Sequence, residues 1–245
     1  MMKIVIRLIL LFIANNAIAQ PVADETLTKQ APIAVEEIVV TDFRHLNRSP
    51  YARVIKGMEA FEKNRHLAPQ APLRYKLSAS KKDTTLDGIT VTLQDGSDAT
   101  GIALKVEADG TFSVPVIQNP ADDLEIVLNR KQAEASWMPH IRTQTGVEAP
   151  LRMGDQRLQC AVLWAMIKDD VSFLIRSTFA LTGGLCDSSK IPFSNSVPRP
   201  LAKVTMSEGA RSESLRIDTQ RNSFAVPLHD KSWSNEAQIK LTYIP

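Results

Sequence analysis

From Leu73 onward the sequence is divided into short segments in which apolar and polar residues alternate. Alternation with a period of two over about four to eight residues is typical of strands with one buried face. Asp-Gly pairs, which favour tight turns, lie between or beside the segments at Asp87-Gly88, Asp95-Gly96 and Asp109-Gly110. Strands of this length and spacing predict a β-sandwich. The segments are 75–79, 89–93, 102–106, 112–114 and 124–128.

Part of this pattern occurs twice. The first copy consists of Leu104-x-Val106, Phe112-x-Val114-Pro115 and Ile126-x-Leu128, and the second of Leu215-x-Ile217, Phe224-x-Val226-Pro227 and Ile239-x-Leu241. The Leu-to-Phe spacings are 8 and 9, and the Phe-to-Ile spacings are 14 and 15. Each copy follows a Pro-Leu pair, Pro72-Leu73 or Pro200-Leu201. We therefore expect two related β modules, residues 72–135 and 198–245, the second about one hairpin shorter, unless both share one sheet system.

Residues 86–129 also resemble a carboxypeptidase-regulatory-like domain of the transthyretin type. The resemblance is carried by Gly88–Leu93, the turn Asp109-Gly110-Thr111-Phe112, Pro115 and the strand Leu124–Leu128. Two positions depart from the family pattern: Glu107 replaces the first Asp of the turn, and the Pro-Gly before the last strand is absent. The resemblance implies an Ig-like or transthyretin-like sandwich that acts as a structural or binding module.

Residues 50–68 have the pattern of an amphipathic helix. Ser49 is a suitable N-cap, Pro50 suits the first helical position, and Pro69 sets the end. The apolar residues recur at helical spacing, which indicates a packing face. They are Tyr51, Val54, Ile55, Met58 and Phe61.

Residues 150–190 form an apolar connecting segment whose structure the periodicity leaves open. Residues 171–181 alternate as a strand would, so residues 155–182 could form a β-hairpin. Asp155 as a helix cap, Ala161 and Ala165, and the Gly183-Gly184 stop favour two helices instead. A helical hairpin turning at residues 168–170 brings Cys160 and Cys186 together at its open end. We therefore favour a disulfide-tied helical hairpin between the modules, in a mainly β fold.

The first nineteen residues have the pattern of a targeting segment rather than of a folded element. Lys3 and Arg7, an apolar run, and Ala17-Ile18-Ala19 are the three parts of a secretory signal peptide. We expect cleavage between Ala19 and Gln20, a periplasmic or secreted product, and an exposed lead-in over residues 20–49. No later stretch is long and apolar enough to span a membrane. In an oxidising compartment the two cysteines, Cys160 and Cys186, are expected to form a disulfide worth about 3–4 kcal/mol.

Charge narrows the range of partners. Removal of the signal peptide leaves equal numbers of basic and acidic residues, which argues against nucleic acid as a partner. The run Glu36–Thr41 resembles the TonB box of outer-membrane receptors, although Asp42 follows where those sequences often have Gly. That resemblance implies a partner in the cell envelope.

Motifs for catalysis, metal binding and cofactor binding were not found. The histidines are isolated from one another, and the adjacent aspartates Asp122-Asp123 and Asp169-Asp170 suit turns. Asp95–Asp98 lacks the spacing of a calcium loop. Trp137 and Trp233 are the candidate ligand contacts, because Trp can stack on a sugar or a protein partner.

We therefore expect an exported, non-catalytic binding or envelope-accessory protein whose partner is an envelope protein or a glycan. The alternative is a periplasmic hydrolase whose site is assembled from His140, His229 and the turn aspartates.

Overall fold

The computed structural model describes residues 46–80, 84–96, 101–146, 149–173, 176, 177, 179, 184–189 and 193–245. The predicted signal peptide and the run Glu36–Thr41 lie outside the described residues. The strands are β1 (Leu46–Pro50), β2 (Leu73–Ala79), β3 (Val91–Gln94), β4 (Ile102–Leu104), β5 (Thr111–Phe112), β6 (Glu125–Lys131), β7 (Ala135–Ile141), β8 (Leu151–Arg152), β9 (Phe193–Ser196), β10 (Leu201–Glu208), β11 (Arg211–Ser214), β12 (Ser223–Val226) and β13 (Gln238–Tyr243). The α-helices are α1 (Tyr51–Lys63) and α2 (Met153–Ile167), and short 3-10 turns cover Arg65–Leu67 and Leu185–Asp187.

A first unit is built from two antiparallel sheets around one core. Sheet A has the strand order β1-β6-β3-β4, and sheet B has the order β5-β2-β7. Sheet A contributes Leu93 and Ile126 to the core, sheet B contributes Tyr75 and Phe112, and α1 adds Phe61. Each of these side chains is at most 3% exposed. The alternation seen in the sequence therefore marks the inner faces of both sheets.

A second unit has its own core. Sheet C has the order β11-β10-β13-β8, and sheet D pairs β12 with β9. Met206 and Ile239 of sheet C pack with Phe224 and Val226 of sheet D, and Trp233 joins them from the loop before β13. The prediction of a mainly β fold with helical segments and a disulfide beside them is confirmed.

Helix α2 contributes to both cores. Leu158, Val162 and Met166 pack in the first core, whereas Met153 and Cys160 pack in the second. A helix with apolar contacts on several sides shows little amphipathic periodicity, and buried residues indeed occupy much of α2. This explains why periodicity alone could not identify α2.

The two units share the same order of strands. In the first unit, edge strand β1 pairs with β6, β6 pairs with β3, and β3 pairs with β4. In the second unit, edge strand β8 pairs with β13, β13 pairs with β10, and β10 pairs with β11. In the second sheets, β5 pairs with β2 and β12 pairs with β9. Strand β7 extends sheet B on the other side of β2.

This order corrects one predicted equivalence. The strand after Pro200 is β10, which pairs as β3 does, whereas the strand after Pro72 is β2, which pairs as β9 does. The predicted match of Pro72-Leu73 with Pro200-Leu201 is therefore wrong, and the second unit does not lack a hairpin. Both pairs consist of a proline before an apolar strand, so the local sequence did not distinguish them.

The helices begin in the same way in both units. The Tyr51 N–H donates to the Leu124 carbonyl oxygen at 2.8 Å, and the Met153 N–H donates to the Ala237 carbonyl oxygen at 2.9 Å. Each helix thus follows directly from the edge strand of its sheet. The predicted N-cap Ser49 lies in β1, and Pro50 occupies the cap position instead. Arg152, not Asp155, precedes α2.

Several elements extend beyond the predicted modules. β1 lies at the end of the expected lead-in and pairs with β6, and β7 continues to Ile141. β8 of the connecting segment joins sheet C, and β9 precedes residue 198. The β-hairpin alternative for residues 155–182 is wrong, because α2 covers its first half. Of the residues beyond Ser172, the described Phe173, Arg176, Ser177 and Phe179 are helical.

Candidate functional site: a cationic face on sheet B

Neighbouring strands β2 and β7 place basic side chains on the outer face of sheet B. Arg74 lies directly opposite His140, and Lys76 lies opposite Met138. The alternate residues of both strands, such as Tyr75, point into the first core. Arg142 continues the face just beyond the end of β7. We call Arg74, Lys76, His140 and Arg142 the cationic face; all four are half-buried.

The imidazole of His140 is held in its neutral form. Burial lowers the pKa of His140 to about 4, and the positive charges of Arg142, Lys76 and Arg74 contribute in the same direction. Asp109 opposes this effect. Near pH 7 the cationic face therefore has three positive charges and a neutral ring that can donate or accept a hydrogen bond.

The nearby carboxylate of Asp109 is engaged in its own turn. It accepts hydrogen bonds from the Thr111 hydroxyl at 2.7 Å and from the Thr111 N–H at 2.9 Å. The hydroxyl bond is the main reason that the pKa of Asp109 lies below its usual value; Lys76 and Arg74 lower it further. Asp109 thus organises the predicted Asp109-Gly110 turn, where Gly110 has a φ of 77°.

The three cations lack close carboxylate partners. Among the described residues, no ion pair within 4.0 Å involves Arg74, Lys76 or Arg142. The Arg74 Nε is buried and has no hydrogen-bond partner in the same part of the chain. Burial lowers the pKa of Arg142, and the negative charge of Asp155 partly opposes this effect. The oxygens of Asp155 accept hydrogen bonds from the Thr143 N–H and hydroxyl. Like charges on adjacent strands repel, so an anion on this face would be stabilised.

The described strands of sheet D in the second unit, β9 and β12, contain no charged residue. Phe112 lies opposite Tyr75 in sheet B, and Phe224 lies opposite Asn195 in sheet D. The positions on either side of Tyr75 are Arg74 and Lys76, whereas those on either side of Asn195 are Ser194 and Ser196. The cationic face is thus specific to the first unit.

The two candidate ligand contacts, Trp137 and Trp233, pack in the cores rather than on open surface. Trp137 is partly buried and makes edge contacts with Tyr75 and Phe112, with ring centroids 5.2 and 5.8 Å apart. Trp233 is 1% exposed, and the Arg211 guanidinium lies 3.6 Å from its ring centroid. The loop before β13 folds over the second core, so the ring of Trp233 is not open to a ligand. A ligand contact at Trp137 stays a prediction.

Arg157 of α2 holds that loop in place. Its guanidinium donates to the Asn235 side-chain oxygen at 2.7 Å and to the carbonyl oxygens of Asp230, Trp233 and Leu228 at 2.8, 3.0 and 3.3 Å. Such a set of bonds satisfies backbone oxygens that would otherwise be buried without donors. Nothing in the local sequence distinguishes this arginine from a solvated one.

The disulfide joins α2 to the 3-10 turn at Leu185–Asp187. The Cys160 and Cys186 sulfurs are bonded, with Cα atoms 5.8 Å apart. Cys160 is buried in the second core, where Cys186 packs against it. The bond therefore attaches the end of the connecting segment to the helix that both units share.

The residues of the alternative hydrolase site are dispersed. His140 belongs to sheet B, whereas His229 lies in the second unit after β12. Asp169 and Asp170 pair with Lys56 and Arg53 of α1 at 2.7 and 2.8 Å. Within the described ranges, no group of three or more His, Cys, Asp or Glu residues is arranged to hold a metal ion.

Sequence reasoning did not identify the cationic face. Arg74 and His140 are far apart in the chain, and only the pairing of β2 with β7 makes them neighbours. The one local signal was the spacing of Arg74 and Lys76, which places both side chains on the same side of a strand.

The chain has no match among protein-family models, curated proteins or solved structures. None of the helices in the described part of the chain has the length and apolar character required to cross a bilayer.

Proposed function

We propose that this chain is an exported, non-catalytic binding protein made of two copies of one β unit, and that its cationic face binds an anionic component of the cell envelope. The observation that carries this proposal is a half-buried group of three cations that have no close carboxylate partner among the residues that the structure describes. Half-buried cations gain more from a bound anion than fully solvated ones, because the surrounding protein screens the charges less than water does. An acidic glycan or the acidic segment of an envelope protein has the required charge.

Pairing registers support the origin of the units as two copies. Val91 lies opposite Leu128 as Val204 lies opposite Leu241, and Leu93 faces Ile126 as Met206 faces Ile239. This alignment matches the sequence Val-Thr-Leu-Gln-Asp-Gly, residues 91–96, with Val-Thr-Met-Ser-Glu-Gly, residues 204–209. Agreement in strand order, helix position and local sequence is expected of a duplicated unit.

The difference between the copies supports a binding role. Both retain the buried residues that a shared fold requires, but the outer face of sheet B has Arg74 and Lys76 where sheet D has Ser194 and Ser196. The core does not need these charges and they repel one another, so a bound anion would account for their presence.

The experiment is a binding titration with two anionic probes, alginate and polyglutamate, and with neutral dextran as the negative control. The variant R74S/K76S gives the first unit the residues of the second. The matched control K203S/K240S removes two exposed lysines from β10 and β13.

We expect the wild-type chain to bind at least one anionic probe, more weakly at high salt, and not to bind dextran. R74S/K76S should weaken that binding about tenfold, whereas K203S/K240S should change it little. Failure of both probes to bind, or equal losses in the two variants, would contradict the proposal.

Export has its own test. The intact mass of the chain recovered from the periplasm or the medium should correspond to a start at Gln20, with cysteines that resist alkylation until they are reduced. A full-length chain with two alkylated thiols would contradict export.

A further inference from the structure

A cleft of about 270 Å³ opens in the second unit where β11 and β12 diverge. At its closed end, Ile217 and Phe224 form a bridge, and the Ala225 N–H donates to the Arg216 carbonyl oxygen at 2.9 Å. Beyond this point β11 continues into sheet C and β12 into sheet D. The cleft therefore follows from two strands of one hairpin that enter different sheets.

The lining of the cleft is apolar at its base and charged at its rim. Leu215 and Val226 belong to the second core, and Pro227 lies beside them. Glu213, Arg216 and His229 also line the cleft, and all three are exposed. Among the described residues these three form no ion pair within 4.0 Å. An apolar surface with a few polar groups around it is the usual composition of a small-molecule site.

The equivalent place in the first unit has different chemistry. Counted from the matched bridges Val106–Phe112 and Ile217–Phe224, the positions of Glu213 and His229 correspond to Ile102 and Ile117. Ile102 is 60% exposed there. The acidic group and the imidazole are therefore particular to the second unit and are not required by the shared fold.

We propose that this cleft binds a small zwitterion with an apolar side chain, of the size of a free amino acid. The ammonium group would face Glu213, the carboxylate would face Arg216 and His229, and the side chain would lie on Leu215 and Val226. A cleft of this volume is below the usual range for drug-sized ligands, which favours a ligand as small as a free amino acid. The site is separate from the cationic face, so either proposal can fail alone.

The experiment is an NMR titration of the oxidised, signal-cleaved chain with L-leucine. Two analogues test the charges: N-acetyl-L-leucine has no ammonium group, and L-leucinamide has no carboxylate. We expect L-leucine to shift the amide signals of Leu215, Ala225 and Val226, with a Kd of about 1 mM, and each analogue to bind about tenfold more weakly.

Two variants test which residue of the cleft contacts each charged group of the ligand. E213Q should weaken leucine binding about tenfold and remove the preference for leucine over N-acetyl-leucine, and R216Q should do the same for leucinamide. The controls E59Q and K203Q, at exposed positions on α1 and β10, should leave binding unchanged. The proposal is overturned if leucine shifts no cleft signals, if the analogues bind as well as leucine, or if the controls weaken binding as much as the cleft variants. Unchanged urea midpoints would show that the variants remain folded.

Discussion

The first and second units have the same strand order, but their helices make different contacts. Helix α1 packs its apolar stripe on the first core, whereas α2 has residues in both cores. Position 52 of α1 is an exposed alanine, and the matching position 154 of α2 is a glycine in close contact with the first unit's 3-10 turn. A helix at the same place in the strand order can thus pack on one core or on two, depending on which residues contact it.

The edges and outer faces differ more than the cores. Edge strand β4 exposes Ile102, whereas the equivalent edge β11 is Arg-Ser-Glu-Ser, with all four residues exposed. Charged residues on an edge discourage pairing with another chain. The comparison teaches that burial restricts the inner faces of both units, while the outer faces are free to differ in charge.

The largest effect should come from the matched core phenylalanines. Phe112→Ala and Phe224→Ala should each cost about 3–5 kcal/mol, because both rings are at most 2% exposed. Since α2 belongs to both cores, each variant should lower one common transition in urea, followed by the intrinsic fluorescence of the three tryptophans, Trp137, Trp164 and Trp233. Two separated transitions in either variant would show that the units unfold independently.

Loss of the disulfide should cause the next largest loss of stability. The double variant C160A/C186A should be less stable by about 3–4 kcal/mol, because the bond closes a loop with a sequence separation of 26. Urea midpoints of the wild-type chain with and without dithiothreitol supply the comparison. The reduced wild-type chain should match the double variant, and a midpoint that is insensitive to reduction would contradict the expected contribution.

The two helix starts offer a matched pair of substitutions. A Cβ at Gly154 would lie 2.1 Å from the Leu67 carbonyl oxygen, so Gly154→Ala should cost about 3 kcal/mol as backbone is displaced. Ala52→Gly, at the equivalent exposed position of α1, should cost at most about 1 kcal/mol. Thermal unfolding of both variants tests this difference. Similar losses would mean that α2 is no more constrained than α1.

The smallest effect should be a dependence on pH that arises in the first unit. Because His140 has its pKa lowered from 6.5 to about 4, the unfolded chain binds a proton in this range that the folded chain does not. Stability should therefore fall as the pH falls from 6.5 towards 4, by about 1 kcal/mol after solvent screening. The measurement is the urea midpoint at pH 7 and pH 5.

The control for this prediction is His140→Gln, which should reduce the loss between the two pH values. An NMR titration gives an independent measurement, since an anion bound to the cationic face should raise the pKa of His140. A pKa near 6.5 in the free protein would contradict the burial on which the prediction depends.

Local patterns accounted for four strands of the first unit and for α1. Alternation identified β2, β3, β4 and β6. In β2 and β3 buried residues alternate with less buried ones, whereas β6 buries three residues in a row and β4 buries Leu104 alone. Local patterns did not identify β1 or β8, which are edge strands whose structure depends on pairing with β6 and β13. They also could not place Arg157, because its hydrogen bonds are to a loop more than seventy residues away in the sequence.

The sequence by itself determined the β class, the turns, the cysteine pair and the recurrence of buried residues. These follow from local chemistry: alternation, Asp-Gly turns and composition act within a few residues of one another. Only the tertiary structure decided which strands are equivalent, that α2 serves both cores, that Trp233 is buried and that Arg74, Lys76, His140 and Arg142 share a face. The physical reason is that strand pairing and burial join residues far apart in the chain, and no local pattern specifies those partners.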